Sequence, residues 1–129
     1  MNQEIKKLWV AALRSGNYVQ GKNALCQESP EGPHFCCLGV LCDLAVAADV
    51  TEQSLTEDKG NTVRAYREDL TLPNTVPATA VLPHSVVMWA NLNSAHPMVL
   101  ADGYEHGLAQ LNDSGSTFSE IADLIEKHL

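Results

Sequence analysis

Two stretches of the chain carry apolar residues at the spacing of one helix face. Ile5, Leu8, Trp9, Ala12 and Leu13 follow the i, i+3, i+4, i+7, i+8 pattern, and Phe118, Ile121, Ala122, Ile125 and Leu129 form a second stripe. Ser15-Gly16 predicts the end of the first helix, with Gly16 able to take a left-handed cap. Thr117 and Glu120 predict a capping box at the start of the last. Residues 35–48 are apolar on nearly every side, which predicts a buried central helix, with Pro33 in its first turn. Within it, Gly39 disfavours helix by about 1 kcal/mol against Ala, so its expected use is close approach by another backbone or by a ligand. Asp43 is the single charge there and is expected to be paired, for instance with Arg14, or to sit at an opening.

The remainder is less regular. Ser15 to Gly21 reads as a shaped loop or short strand, and Gln27 to Pro33 as a turn-rich connection. Residues 50–81 are polar and irregular. Val63, Ala65, Leu70 and Leu72 alternate with polar positions and suggest short strands, while Pro73 and Pro77 confine pairing to edges. This segment is where mobility or an insertion is expected. Leu82-Pro83 opens a third helix carrying Val86 and Trp89, and residues 94–107 read as loop with a short strand at Met98 to Leu100. The expected architecture is a single α+β domain over residues 1–129, mainly helical, with about four helices around the helix at 35–48 and a few short strands.

Composition sharpens this picture. A chain of 129 residues with 45% hydrophobic but only 5% aromatic residues builds its core from aliphatic side chains and needs no staples. The formal net charge of -8 opposes nucleic-acid binding. Residues 1–25 run against that trend: Lys6, Lys7, Arg14 and Lys22 face one carboxylate, Glu4, which leaves room for a local anion site. The longest apolar stretch falls short of a membrane span, and Met1-Asn2-Gln3-Glu4 lacks the charged start and apolar run of a signal peptide. A cytoplasmic chain with no membrane partner is expected. Cys26, Cys36, Cys37 and Cys42 then stay reduced, in a spacing that suits neither a disulfide framework nor a zinc site.

Candidate chemistry is sparse. The sequence has no phosphate-binding loop, GxGxxG, HExxH or GxSxG pattern, and its five histidines are scattered, so neither a cofactor nor a metal is expected. Cys36 and Cys37 near a helix start are candidate nucleophiles, because the helix dipole lowers a thiol pKa, with His34, His84 or His106 as partner bases. Asp113 with Glu105 or Asp43 is a candidate acid–base pair. Asn112-Asp113 forms either an Asx turn or a polar pair able to read a base edge or a ribose diol. Tyr18, bracketed by glycines, offers a stacking ring, and Trp9 reads as core. Leu108 to Leu124 resembles the opening of a helix-turn-helix, without a basic recognition helix to follow.

Taken together, Ser15-Gly16-Asn17-Tyr18-Val19-Gln20-Gly21, Phe35 to Leu44, Leu82-Pro83 to Leu92, and Leu111-Asn112-Asp113-Ser114-Gly115 through Glu126 resemble a family of small proteins of tailed bacteriophages and related bacterial genomes, without an assigned activity. The resemblance implies an accessory factor acting in the host cytoplasm. One such class sequesters nucleotide-derived immune signals, such as cyclic oligonucleotides or cyclic ADP-ribose derivatives. The leading expectation is therefore a homo-oligomeric binder of a nucleotide-like small molecule. In it Gln20, Asn112 and Asp113 read polar edges, Tyr18 stacks, Arg14 or Lys22 meets phosphate, and backbone N–H groups near Cys36 and Cys37 assist. The alternatives are a small hydrolase or thiol-dependent enzyme acting on such a molecule, and an inhibitor that binds a host protein.

Overall fold

The apolar helix is buried against three others. In the computed structural model, which describes residues 1–72 and 74–129, helix α2 (Cys37–Ala47) is buried through Cys42 and packs against α1 (Gln3–Arg14), α3 (His84–Ala90) and α4 (Leu108–Asp113). It is shorter than residues 35–48. His34 and Phe35 are extended and form strand β3 (His34–Phe35), and Cys36 is the N-cap, so Pro33 lies in the connection before that strand. The reason is pairing: Phe35 and His34 bond to β2 (Cys26–Gln27) on one side and β1 (Val19–Gln20) on the other.

Helix α1 buries Ile5, Trp9, Val10 and Leu13, and is capped by the Asn2 side chain on the N–H groups of Glu4 and Ile5. Trp9 is core: its indole N–H donates to the Cys37 carbonyl at 2.9 Å. Gly16 takes φ +77°, the left-handed conformation its place after the helix requires. Helix α5 (Phe118–His128) carries the capping box of Thr117 and Glu120 and lays Phe118, Ile121, Ala122 and Ile125 into the core beside α1. One continuous apolar core joins all five helices to the strands.

Two sheets accompany the helices. The larger has the order β1-β3-β2-β5-β4, with β1 and β3 parallel and the other pairs antiparallel. Its outer hairpin comes from the segment that reads as irregular. β4 (Gln53–Asp58) and β5 (Asn61–Tyr66) pair along their full length around Lys59-Gly60. Both turn residues have positive φ, +51° and +83°, as a two-residue turn of this hand needs. Leu70 and Leu72 lie outside any strand, Pro77 adjoins an isolated bridge between Ala78 and Tyr66, and Pro73 lies outside the described residues. The smaller sheet is a hairpin of β6 (Met98–Ala101) and β7 (Tyr104–Gly107), so residues 94–107 hold two strands where one is expected. It leads directly into α4, a helix that the turn-like reading of Leu111 to Gly115 does not anticipate.

Candidate functional site

The singled-out residues divide into three places. The first surrounds the start of α2. Asn112, at the end of α4, is fully buried, and its amide is fully used. Its Oδ1 accepts from Gln20 Nε2 at 2.8 Å and from the Cys37 N–H at 3.2 Å. Its Nδ2 donates to the Gly21 carbonyl at 2.8 Å and to Asp113 Oδ1 at 3.2 Å. Gln20 Nε2 also donates to the Ser116 carbonyl at 2.8 Å. Gln20, Asn112, Asp113, Cys36 and Cys37 therefore meet, but as an internal brace. The Cys37 N–H that a ligand phosphate would use at a helix start is already bonded and buried.

The cysteines are built into the interior. Cys36 Sγ accepts from the Gly39 N–H at 3.4 Å as the helix cap, and the Cys37 S–H donates to the Leu108 carbonyl at 3.4 Å. All four thiols are free and buried. Burial pushes Cys36 up to about 11 and Cys26 up to about 12, from an ordinary 9.0, and raises Cys37 and Cys42 well above it. This is the reverse of the dipole-lowered thiol expected from the sequence, because desolvation outweighs the helix start. A thiol reagent at pH 7 is expected to label none of the four in the native protein and all four in denaturant. The neutral thiols contribute stability that is complete below pH 9 and declines as pH rises through the folded-state values near 11 and 12, since only the unfolded chain releases those protons. Melting temperatures at pH 7 and pH 10 check this, and a native thiol that reacts at pH 7 would contradict it.

The second place holds Tyr18. Its hydroxyl donates to Asp43 Oδ2 at 2.6 Å, and its ring stands edge-on to Phe35, with centroids 5.0 Å apart at 88°. Burial, with Asp43 adding to it, raises the phenol pKa. The ring belongs to a built cluster with Phe35 and Asp43. Asp43 is thus paired, but with Tyr18, and its other oxygen lies 3.8 Å from Arg64. Arg64 itself donates to Glu28 at 2.5 Å and covers the Phe35 ring at 5.4 Å. The buried Tyr66 hydroxyl is left without a partner.

Arg14 occupies the third place. It bonds Asp123 at 2.5 Å and Glu126 at 2.8 Å, pinning α1 to α5, and those two carboxylates raise its pKa. Its charge is already matched. It borders a cleft of about 440 Å³ whose apolar floor is Val10 and Ala11 and whose rim holds Lys6 and Lys7. Lys22 is exposed and precedes Asn23, the residue whose N–H donates to Asp113 Oδ1 at 3.1 Å.

That bond marks the edge of the polar opening nearest the brace. A groove of about 410 Å³ lies between Asn23, Gln27, the Asp58-Lys59 corner of the β4–β5 turn, Asn61 and Asp113. Of the singled-out residues only Asp113 lines it. The other seven, Ala24 and Val63 among them, come from positions that the sequence reading does not offer as site residues. The available signal was Lys59-Gly60, a turn pair between two runs of strand length. The groove offers side-chain amides with donors and acceptors, two carboxylates and one ammonium group. Among the described residues, no group of three or more His, Cys, Asp or Glu is placed to hold a metal, and no helix is long and apolar enough to cross a membrane.

No curated protein and no solved structure matches the chain. Residues 1–129 match the family described as a domain of unknown function, DUF8296, and the chain belongs to that family.

Proposed function

We propose that this chain binds a nucleotide-like small molecule in the groove between Asn23, Gln27, Lys59, Asn61 and Asp113, and holds it without converting it. The observation that carries the reading is the groove's lining. Its volume, about 410 Å³, falls in the range of small-molecule sites. Amides from Asn23, Gln27 and Asn61 suit the mixed donor and acceptor edge of a base, and the Asp113 carboxylate suits a ribose diol. Lys59, with the exposed Lys22 preceding Asn23, supplies positive charge for phosphate in a protein that is otherwise acidic. The buried, protonated cysteines weigh against a thiol-dependent reaction. In the phage setting suggested by the sequence blocks, such binding would withdraw a host immune signal from its receptor in the host cytoplasm.

The test is a thermal-shift panel of ADP-ribose, cyclic ADP-ribose, cyclic dinucleotides and mononucleotides. A ligand at 100 times its Kd adds about 2.7 kcal/mol to stability, a clear rise in Tm. Asn61→Ala and Lys59→Gln are expected to abolish that rise while leaving the unliganded Tm within a few degrees. A Lys6→Ala/Lys7→Ala pair, on the α1–α5 cleft, is expected to leave it intact. Ligand released by denaturation is expected to have an unchanged mass. A silent panel, a rise that survives the groove variants, or an altered ligand would each overturn the reading.

A further inference from the structure

The larger sheet ends on two unlike edges. β1 is two residues long, too short to template a partner, but β4 runs for six residues and every one is exposed. The bonding phase of β4 is fixed by its hairpin. The Arg67 N–H donates to the Glu52 carbonyl at 3.0 Å, and the two-residue turn closes between Asp58 and Asn61. In an antiparallel ladder bonded pairs alternate, so Ser54, Thr56 and Asp58 direct their backbone groups inward to β5. Gln53, Leu55 and Glu57 direct theirs outward. Among the described residues those outward groups have no backbone partner. β4 contains no proline and no lysine, two usual devices that keep an edge from pairing, and its two charges, Glu57 and Asp58, lie together at the turn end.

We infer that β4 is a homodimer interface, on which a second copy of the chain pairs its own β4 antiparallel about a two-fold axis through Leu55. The phase allows only outward residues to bond outward residues, and the register centred on Leu55 makes the strand complementary to itself. Leu55, 64% exposed in the single chain, then packs on its own copy. Gln53 falls opposite Glu57 of the partner, and each side chain keeps one polar group unused within its own chain. Gln53 Oε1 accepts from Arg64 Nη1 at 3.3 Å, which leaves its NH₂ to donate outward. Glu57 Oε1 accepts from Thr62 Oγ1 at 2.8 Å, which leaves its second oxygen to receive. Each such pair would exchange both backbone bonds and add a charge-assisted side-chain bond. At the ends of the register Asp58 comes opposite Glu52, and Arg67 Nη1 at 3.1 Å from Glu52 supplies the countercharge. The two sheets would join into one that runs through both subunits. This interface shares Asp58 with the groove, but its argument rests on Gln53, Leu55 and Glu57 and survives failure of the ligand reading.

Sedimentation velocity on the full chain at about 0.1 mM is expected to show a dimer, whose fraction rises with salt because two acidic subunits repel less when screened. Leu55→Pro removes an outward N–H and the Leu55 side chain but no bond to β5, so it is expected to give a monomer with the native circular dichroism spectrum. Gln53→Glu places a carboxylate opposite Glu57 and is expected to weaken the dimer about tenfold, while Gln53→Lys creates an opposite-charge pair at the same spot and is expected to tighten it. A monomer under all conditions overturns the inference. So does a dimer indifferent to Leu55→Pro, or one that responds to Gln53→Glu and Gln53→Lys alike.

Discussion

Replacing Gly39 by Ala is expected to prevent the protein from folding. In an ordinary helix this change is favourable by about 1 kcal/mol, because Ala is the better helix former. Here a Cβ at position 39 would fall on the Leu25 carbonyl oxygen and lie 2.6 Å from the carbonyl carbon. Leu25 cannot give way cheaply. Its carbonyl accepts from the Cys36 N–H at 3.1 Å, its N–H donates to Thr79 at 2.8 Å, and its side chain is fully buried. Relief requires moving α2 off the sheet, which opens the core around Leu38, Leu41 and Cys42. The expected loss is at least about 4 kcal/mol, a large share of the stability of a domain this size. The measurement is chemical denaturation, or solubility on expression if no folded protein is recovered. A Gly39→Ala protein melting within a few degrees of the parent would show that α2 and the Leu25 backbone are not in this contact.

Replacing Asn112 by Ala is expected to have the next largest effect. The substitution removes a buried amide that uses both its donors and both its lone pairs. It leaves the Cys37 N–H without its acceptor at the buried start of α2 and the Gly21 carbonyl without this donor. An orphaned buried group costs about 1 to 3 kcal/mol, so the total is expected to reach about 3 to 5 kcal/mol. Asn112→Asp separates the two halves of the effect. A carboxylate can still accept from Cys37 and Gln20, but it opposes the Gly21 carbonyl and Asp113, so it is expected to be destabilising as well and least so at acid pH, where it is protonated. Urea unfolding of both variants reads this directly. A loss below about 1 kcal/mol for Asn112→Ala would mean that water replaces the amide and that the site is open to solvent.

These two residues show what the sequence made legible. Gly39 stood out because a glycine in an apolar helix needs a reason, and close approach by a backbone is that reason. The amphipathic stripes of α1 and α5 and the Thr117 cap were legible because each is carried by local spacing. Helix α4 was not. It has six residues, starts at Gly107 without a side-chain cap, and is too short to display a period. Strand β4 was hidden for a related reason: both its faces are exposed, so Gln53 to Asp58 shows no alternation, and only the hairpin turn fixes its pairing. The site was legible in part. Gln20, Asn112 and Asp113 are expected from the sequence to read the polar edges of a ligand, but a sequence does not tell whether such groups face a ligand or one another. Here Gln20 and Asn112 face one another, and the groove beside them draws on Asn23, Gln27 and Asn61, whose side chains become a set only through the pairing of β2 with β5.

The Asn112 brace also sets an order on how the chain can mature. Its partners lie 75 to 92 positions earlier in the sequence, and the α1–α5 clamp of Arg14 with Glu126 spans 112. Closing such long loops is paid for before the contacts reward it. During synthesis the apolar α2 leaves the ribosome with neither α4 to fill its N-terminal bonds nor α5 to cover α1. A nascent chain halted before Asn112 has nothing to offer the Cys37 N–H. Completion of the fold is thus tied to the arrival of α4 and α5, and until then the most apolar helix lacks part of its cover, the condition under which exposed apolar surface favours aggregation.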